Sequence, residues 1–132
     1  TGDLVKDRRS YDPAALIEVL GRLTAADGAV GVMGNHDHYS NLPVLQRVLA
    51  EGGIRELRNG VHTLQRGSAT LHIAGVDDVA AREARLDLVL RDLPPDGAAI
   101  LLAHEPDFAD VSAATRRAAT PGAVSGSPAR SR

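Results

Sequence analysis

The sequence has no cysteine and no tryptophan, and its aromatic residues are one phenylalanine and two tyrosines. Without cysteine, disulfides and thiolate metal sites are excluded, while the redox compartment stays open. With so few rings, the core has to be built from Leu, Val, Ile and Ala, within a hydrophobic fraction of 43%. No sign of charge dominates. Fifteen basic residues against 17 acidic ones leave a formal net charge of −2, which argues against a general nucleic-acid or membrane-surface binder. No apolar run approaches the roughly 20 residues that cross a bilayer, and there is no signal-peptide pattern. The expectation is a soluble chain, cytoplasmic or peripheral to the inner membrane. Its 132 residues predict one main domain.

Chemistry concentrates at the ends of apolar runs. The run Ala29 to Met33 reads as a buried strand that stops at Gly34, and Asn35, His36 and Asp37 follow at once. In open α/β folds, ligands collect at the carboxyl ends of strands, so an amide, an imidazole and a carboxylate there suggest a site. Taken alone, a polar turn that happens to contain histidine accounts for the stretch equally well. Two other segments repeat the pattern. Gly2-Asp3 opens the sequence, and Ile100 to Ala103 is an apolar run ending at His104.

The order Gly2-Asp3, then Gly34-Asn35-His36-Asp37, then His104 after a hydrophobic strand resembles the calcineurin-like metallophosphoesterase superfamily. The runs Gly75-Val76-Asp77-Asp78 and Leu101-Leu102-Ala103-His104-Glu105-Pro106-Asp107 are most similar to its YkuE-type bacterial branch. The resemblance implies that Asp3 bridges two divalent metal ions (Mn, Fe, Zn or Ni) and that Asn35 and His104 are ligands to one of them. It also implies that His36, oriented by Asp37, donates a proton to the leaving group. The residue types permit these roles. A carboxylate can bind two cations through its two oxygens, a neutral imidazole is a common ligand, and an imidazole beside a carboxylate is biased in charge and tautomer.

Between these segments the chain reads as alternating elements. Lys6-Asp7-Arg8-Arg9 is a solvated loop. Asp12-Pro13 starts a helix with Leu16, Ile17, Leu20 and Leu23 inward, running to about Ala26. A second helix is expected from Pro43 to Glu51, stopped by Gly52-Gly53, and a strand over Ile54 to Leu57. Val61 to Gln65 and Ala69 to Ile73 alternate as antiparallel strands, with His62 and His72 on the polar face and away from the chemistry. Arg82 to Arg91 reads as a charged amphipathic helix and Ala98 to Ala103 as a strand. His38 is expected either on the surface or behind the site, and the pair Asp77-Asp78 near the site, outside the shared metal-ligand motifs.

Two motifs of the resembled superfamily, Asp-x-His before Gly-Asp and Gly-His-x-His after the lone histidine, do not occur here. The expectation is therefore a domain incomplete at both ends. Residues 1–118 would be a partial calcineurin-like phosphoesterase domain and 119–132 a disordered Pro/Gly/Ser-rich tail. The fold class expected is α/β, a partial metallophosphoesterase-type β-sandwich flanked by helices in α/β/β/α layers, with terminal strands missing. The function implied for the parent domain is metal-dependent hydrolysis of phosphomonoesters or phosphodiesters by a dinuclear centre, on a phosphorylated small molecule or lipid headgroup. The alternative is a non-catalytic remnant or binding module that keeps the fold. Oligomeric state is not readable from the sequence.

Overall fold

The computed structural model describes residues 1–9 and 11–119. The tail expected from residue 119 lies outside the described residues from Thr120 onward. In chain order the elements are α1 (Pro13–Gly21), β1 (Ala29–Gly31), α2 (Asn35–Glu51), β2 (Ile54–Glu56), β3 (Gly60–Arg66), β4 (Ala69–Gly75), α3 (Leu86–Asp92), β5 (Ala98–Leu102) and α4 (Phe108–Ala119). Across the described residues this is a mixed α/β fold with two sheets.

Each sheet grows from a β-α-β unit, in which a helix returns the chain so that the next strand runs parallel. β1 and β2 pair in parallel with Ala29 opposite Ile54 and Gly31 opposite Glu56. In the second sheet, β3 and β4 form an antiparallel hairpin that turns at Gly67, whose φ of +60° suits glycine. α3 then carries the chain to β5, which lies parallel to β4 with Gly75 opposite Leu102. The two sheets touch at Gly75. A Cβ there would come within 2.6 Å of the Leu57 carbonyl oxygen and 2.9 Å of the Val32 side chain, so only glycine allows the approach.

Two aliphatic cores hold these layers. Val5, Leu20, Met33, Leu45, Val48, Leu49 and Ile54 fill the space between α1, α2 and the first sheet. Ala74, Val76, Val89 and Phe108 form the second core under α3 and α4, and the single phenylalanine is spent there. Among the described residues no helix is long and apolar enough to cross a membrane.

Several elements differ from the sequence expectation. α1 keeps its Asp12 cap, whose carboxylate accepts from the Ala14 amide, but it ends at Gly21, and Leu23 is 61% exposed instead of packed. Glycine is a weak helix former, and nothing beyond it packs strongly enough to continue the helix. α2 begins at Asn35, eight residues before the expected Pro43. Asp37 makes this start possible, because its carboxylate reaches back to the Gly34 amide and satisfies a donor that helix geometry leaves free. Pro43 survives inside α2 because the backbone breaks at Asn41 (φ −148°, ψ 81°), where the missing proline N–H would otherwise interrupt the ladder. α3 starts at Leu86 rather than Arg82, since Arg82 takes φ +62° in a turn. His72 is buried, not on a polar face. Its Nε2–H donates to the Asp96 carbonyl at 2.7 Å and its Nδ1 pairs with the Thr63 hydroxyl at 2.8 Å, because the loop before β5 folds over it.

Candidate metal centre

Three separate segments converge at the carboxyl ends of β1 and β5. Gly2 (φ +74°) and Asp3 (φ +53°) both adopt the left-handed conformation, which turns the Asp3 carboxylate back over the start of α2. Asp tolerates this geometry better than most residues. Asp3 Oδ1 accepts from the His36 amide at 3.1 Å.

His104 arrives from the other side, one residue beyond the alanine that follows β5. Its Nδ1 lies 2.8 Å from the Thr1 carbonyl oxygen. A carbonyl only accepts, so Nδ1 carries a hydrogen and donates it. Nε2 faces Asp3 Oδ2 at 3.4 Å, an ion pair whenever the ring carries its second proton. The Thr1 carbonyl and, behind it, the Asp3 carboxylate hold the His104 imidazole above its ordinary pKa, against the opposing effect of burial.

Gly34 is the floor of this convergence. A Cβ at Gly34 would strike the Asp3 carboxylate, come within 2.6 Å of the Asp3 amide nitrogen and 2.9 Å of His104 Cε1. Gly2 is equally crowded, since its Cβ would be 2.5 Å from His104 Nδ1. Asn35 follows Gly34 directly, at the first position of α2.

The His36 ring is held by the loop after Asp3, with Nδ1–H donating to the Lys6 carbonyl at 2.8 Å. Nε2 stays outside that bond. Asp37 does not orient it. That carboxylate is fully buried, with Oδ1 accepting from the Val5 amide at 3.2 Å and Oδ2 from the Gly34 amide at 2.9 Å. The expected His36–Asp37 pairing is thus replaced: adjacent side chains on a helix point to different faces, and Asp37 faces inward.

A supporting layer lies behind the site. His38 Nε2–H donates to Asp77 Oδ1 at 2.7 Å, and Arg58 Nε donates to Asp77 Oδ2 at 2.5 Å. Burial pushes the Asp77 carboxyl up, but hydrogen bonds from the Asp78 amide, His38 and Arg58 outweigh it and hold Asp77 below the usual carboxylate range. Beside it, Asp78 Oδ2 and Glu105 Oε2 are both buried without a conventional donor. Burial and the nearby Glu105 carboxylate push Asp78 up. Burial raises Glu105 too, but the Ala80 amide, the Asp78 carboxyl and the Val79 amide outweigh it and bring Glu105 below the usual carboxylate range. The sequence signal for this layer was the Asp-Asp pair after an apolar strand. The partner of each carboxylate was not readable.

Asp3, His104 and the Asn35 amide offer oxygen and nitrogen donors of the kind that suit Mn, Fe, Zn or Ni. Among the described residues no three His, Cys, Asp or Glu side chains group closely enough to hold a metal ion. His62 and His72 lie on the second sheet, in the interiors of β3 and β4, away from these strand ends.

The chain is 33% identical over 112 residues to the uncharacterized metallophosphoesterase YkuE of Bacillus subtilis (strain 168), a match covering 83% of this chain and 39% of the relative. It is 28% identical over 112 residues to the uncharacterized metallophosphoesterase YkoQ of the same organism, covering 82% of this chain and 41% of that protein. The chain thus spans about two fifths of the length of the curated relatives it matches. No family model and no solved structure matches it.

Proposed function

This chain is related to the metallophosphoesterases, and from that premise we propose that it carries the Asp3–Asn35–His104 portion of a dinuclear centre that hydrolyses phosphomonoesters or phosphodiesters. Divalent cations bound there would polarise the phosphoryl oxygens and lower the pKa of an attacking water. In this reading Asp3, Asn35 and His104 would hold one ion, and Asp3 alone would reach the second. The observation that carries it is the convergence of His104 Nε2 on Asp3 Oδ2 at 3.4 Å, with the His104 ring held at Nδ1 by the Thr1 carbonyl.

The other residues act through hydrogen bonds. His36, anchored at Nδ1 by the Lys6 carbonyl, turns Nε2 towards a leaving-group oxygen and, as the doubly protonated imidazolium, gives up its Nε2 proton there. Asp37 fixes the turn from β1 into α2 by binding the Val5 and Gly34 amides, and so sets where His36 and Asn35 emerge. The substrate class is a phosphorylated small molecule or lipid headgroup.

The test is manganese binding by calorimetry together with hydrolysis of an aryl phosphodiester, for the chain and for Asp3→Ala and His104→Ala. The expected result is binding that both substitutions abolish, with any hydrolysis depending on added metal. Binding that survives both substitutions would overturn the assignment, and so would hydrolysis that persists after chelation.

A further inference from the structure

We infer that the turn Asp77–Ala81 is a positioning strut that sets the spacing between Asn35 and His104, with Asp77 as its key residue. The inference rests on the metal-centre reading for what the strut positions, and on separate contacts for the strut itself. None of its residues belongs to the ligand set proposed above.

One end of the strut grips α2. His38 stands three residues after Asn35, close to one helical turn, and its ring is locked to Asp77 at 2.7 Å with side chains only 9% and 1% exposed. The other end grips the His104 loop. Glu105 Oε1 accepts from the Val79 amide at 3.1 Å and the Ala80 amide at 3.0 Å. Between the ends, the turn is braced internally: the Asp78 amide donates to Asp77 Oδ1 at 2.8 Å, and the Ala81 amide to Asp78 Oδ1 at 2.5 Å. Outside, Arg58 and Asn59 clamp it, through Arg58 to Asp77 Oδ2 and through Asn59 Oδ1 accepting the Asp77 amide at 3.0 Å.

The geometry makes one continuous path from Asn35 to His104 that does not pass through the ligands. Asp77 is charged, buried and oriented from three sides, which is what a residue needs to hold an imidazole in one place. A group that fixes ligand-bearing elements in this way typically changes metal affinity about 10–100-fold when removed.

The experiment measures Mn2+ affinity of the whole chain by calorimetry for His38→Ala, His38→Gln, Asp77→Ala and Glu105→Gln, with circular dichroism to verify folding. His38→Gln retains a side-chain N–H for Asp77, and Glu105→Gln retains an acceptor for the Val79 and Ala80 amides. The expected result is a loss of roughly 10–100-fold for His38→Ala and Asp77→Ala, and near-complete recovery in the two glutamine variants. Folded His38→Ala and Asp77→Ala chains that bind Mn2+ as tightly as the unaltered chain, while Asp3→Ala does not, would overturn the strut and leave the metal centre standing. Equal losses in His38→Ala and His38→Gln would overturn it too. An unaltered chain with no Mn2+ affinity would overturn the metal-centre reading and the strut with it.

Discussion

Nε2 of His104 lies 3.4 Å from Oδ2 of Asp3, and the bare α-carbon of Gly34 is what lets the two side chains meet. Gly34 has a φ of −112°, so its role is steric and not conformational. Gly34→Ala would force a methyl group into the Asp3 backbone and the His104 ring, costing about 1–3 kcal/mol as an overpacking change. Urea unfolding should show that loss, accompanied by weaker manganese binding. An unchanged midpoint with unchanged binding would mean that the segments do not converge on Gly34.

Asp37→Asn separates two roles for that carboxylate. Asparagine keeps one acceptor oxygen and replaces the other with a donor, so either the Val5 or the Gly34 amide loses its partner. The expected cost is about 1–3 kcal/mol in urea unfolding, the range for a buried donor left unsatisfied. If stability stays unchanged and only the pH profile of hydrolysis moves, Asp37 acts on His36 after all.

His72 provides the contrast with His104. His72→Leu removes the bonds to Thr63 and Asp96 inside the hairpin sheet and is expected to cost about 1–3 kcal/mol. Manganese affinity of the folded variant should stay at the level of the unaltered chain. A loss of binding at full folding would place His72 in the metal centre.

Asp77 predicts a pH dependence whose sign follows from its depressed pKa. The ordinary value is 3.8, and the folded value lies below it. A depressed carboxylate contributes stability that is fully present above the unfolded pKa and is lost as pH falls through the folded one. The stability gap between the chain and Asp77→Asn should therefore be constant from neutral pH down to about 4 and then close at lower pH. Urea midpoints of both proteins across that range provide the check. A gap that widens on acidification would reverse the assignment.

The candidate site was legible where a local pattern ends. Asp3, Asn35 and His104 each follow an apolar run or open a glycine-led turn, and strand ends are few in a chain of this size. The hairpin was equally plain, because alternation and the Arg66-Gly67-Ser68 turn are short-range signals. What remained hidden depends on choices made across the chain. His72 sits in a strand whose alternation separates two faces without saying which is covered, and the cover comes from Asp96, 24 residues away. The His38–Asp77 pairing spans 39 residues, so nothing near either one announces it. Arg82 to Arg85 has the composition of a helix, yet Asn59 Oδ1 captures the Arg85 amide at 2.8 Å and the segment is spent as a turn. Here tertiary hydrogen bonding overrode local propensity.

The bond from His104 to the Thr1 carbonyl joins residues 103 positions apart. Closing so long a loop is slow compared with forming the β3–β4 hairpin, so the meeting of Thr1, Asp3 and His104 is expected late in folding. During synthesis, Asp3 and Asn35 leave the ribosome well before β5 exists, so a nascent chain would offer only two of the three donors of the proposed centre. Occupancy of that proposed centre would thereby read out completed tertiary structure, and a metal-responsive spectroscopic probe at this position would time the last step of folding.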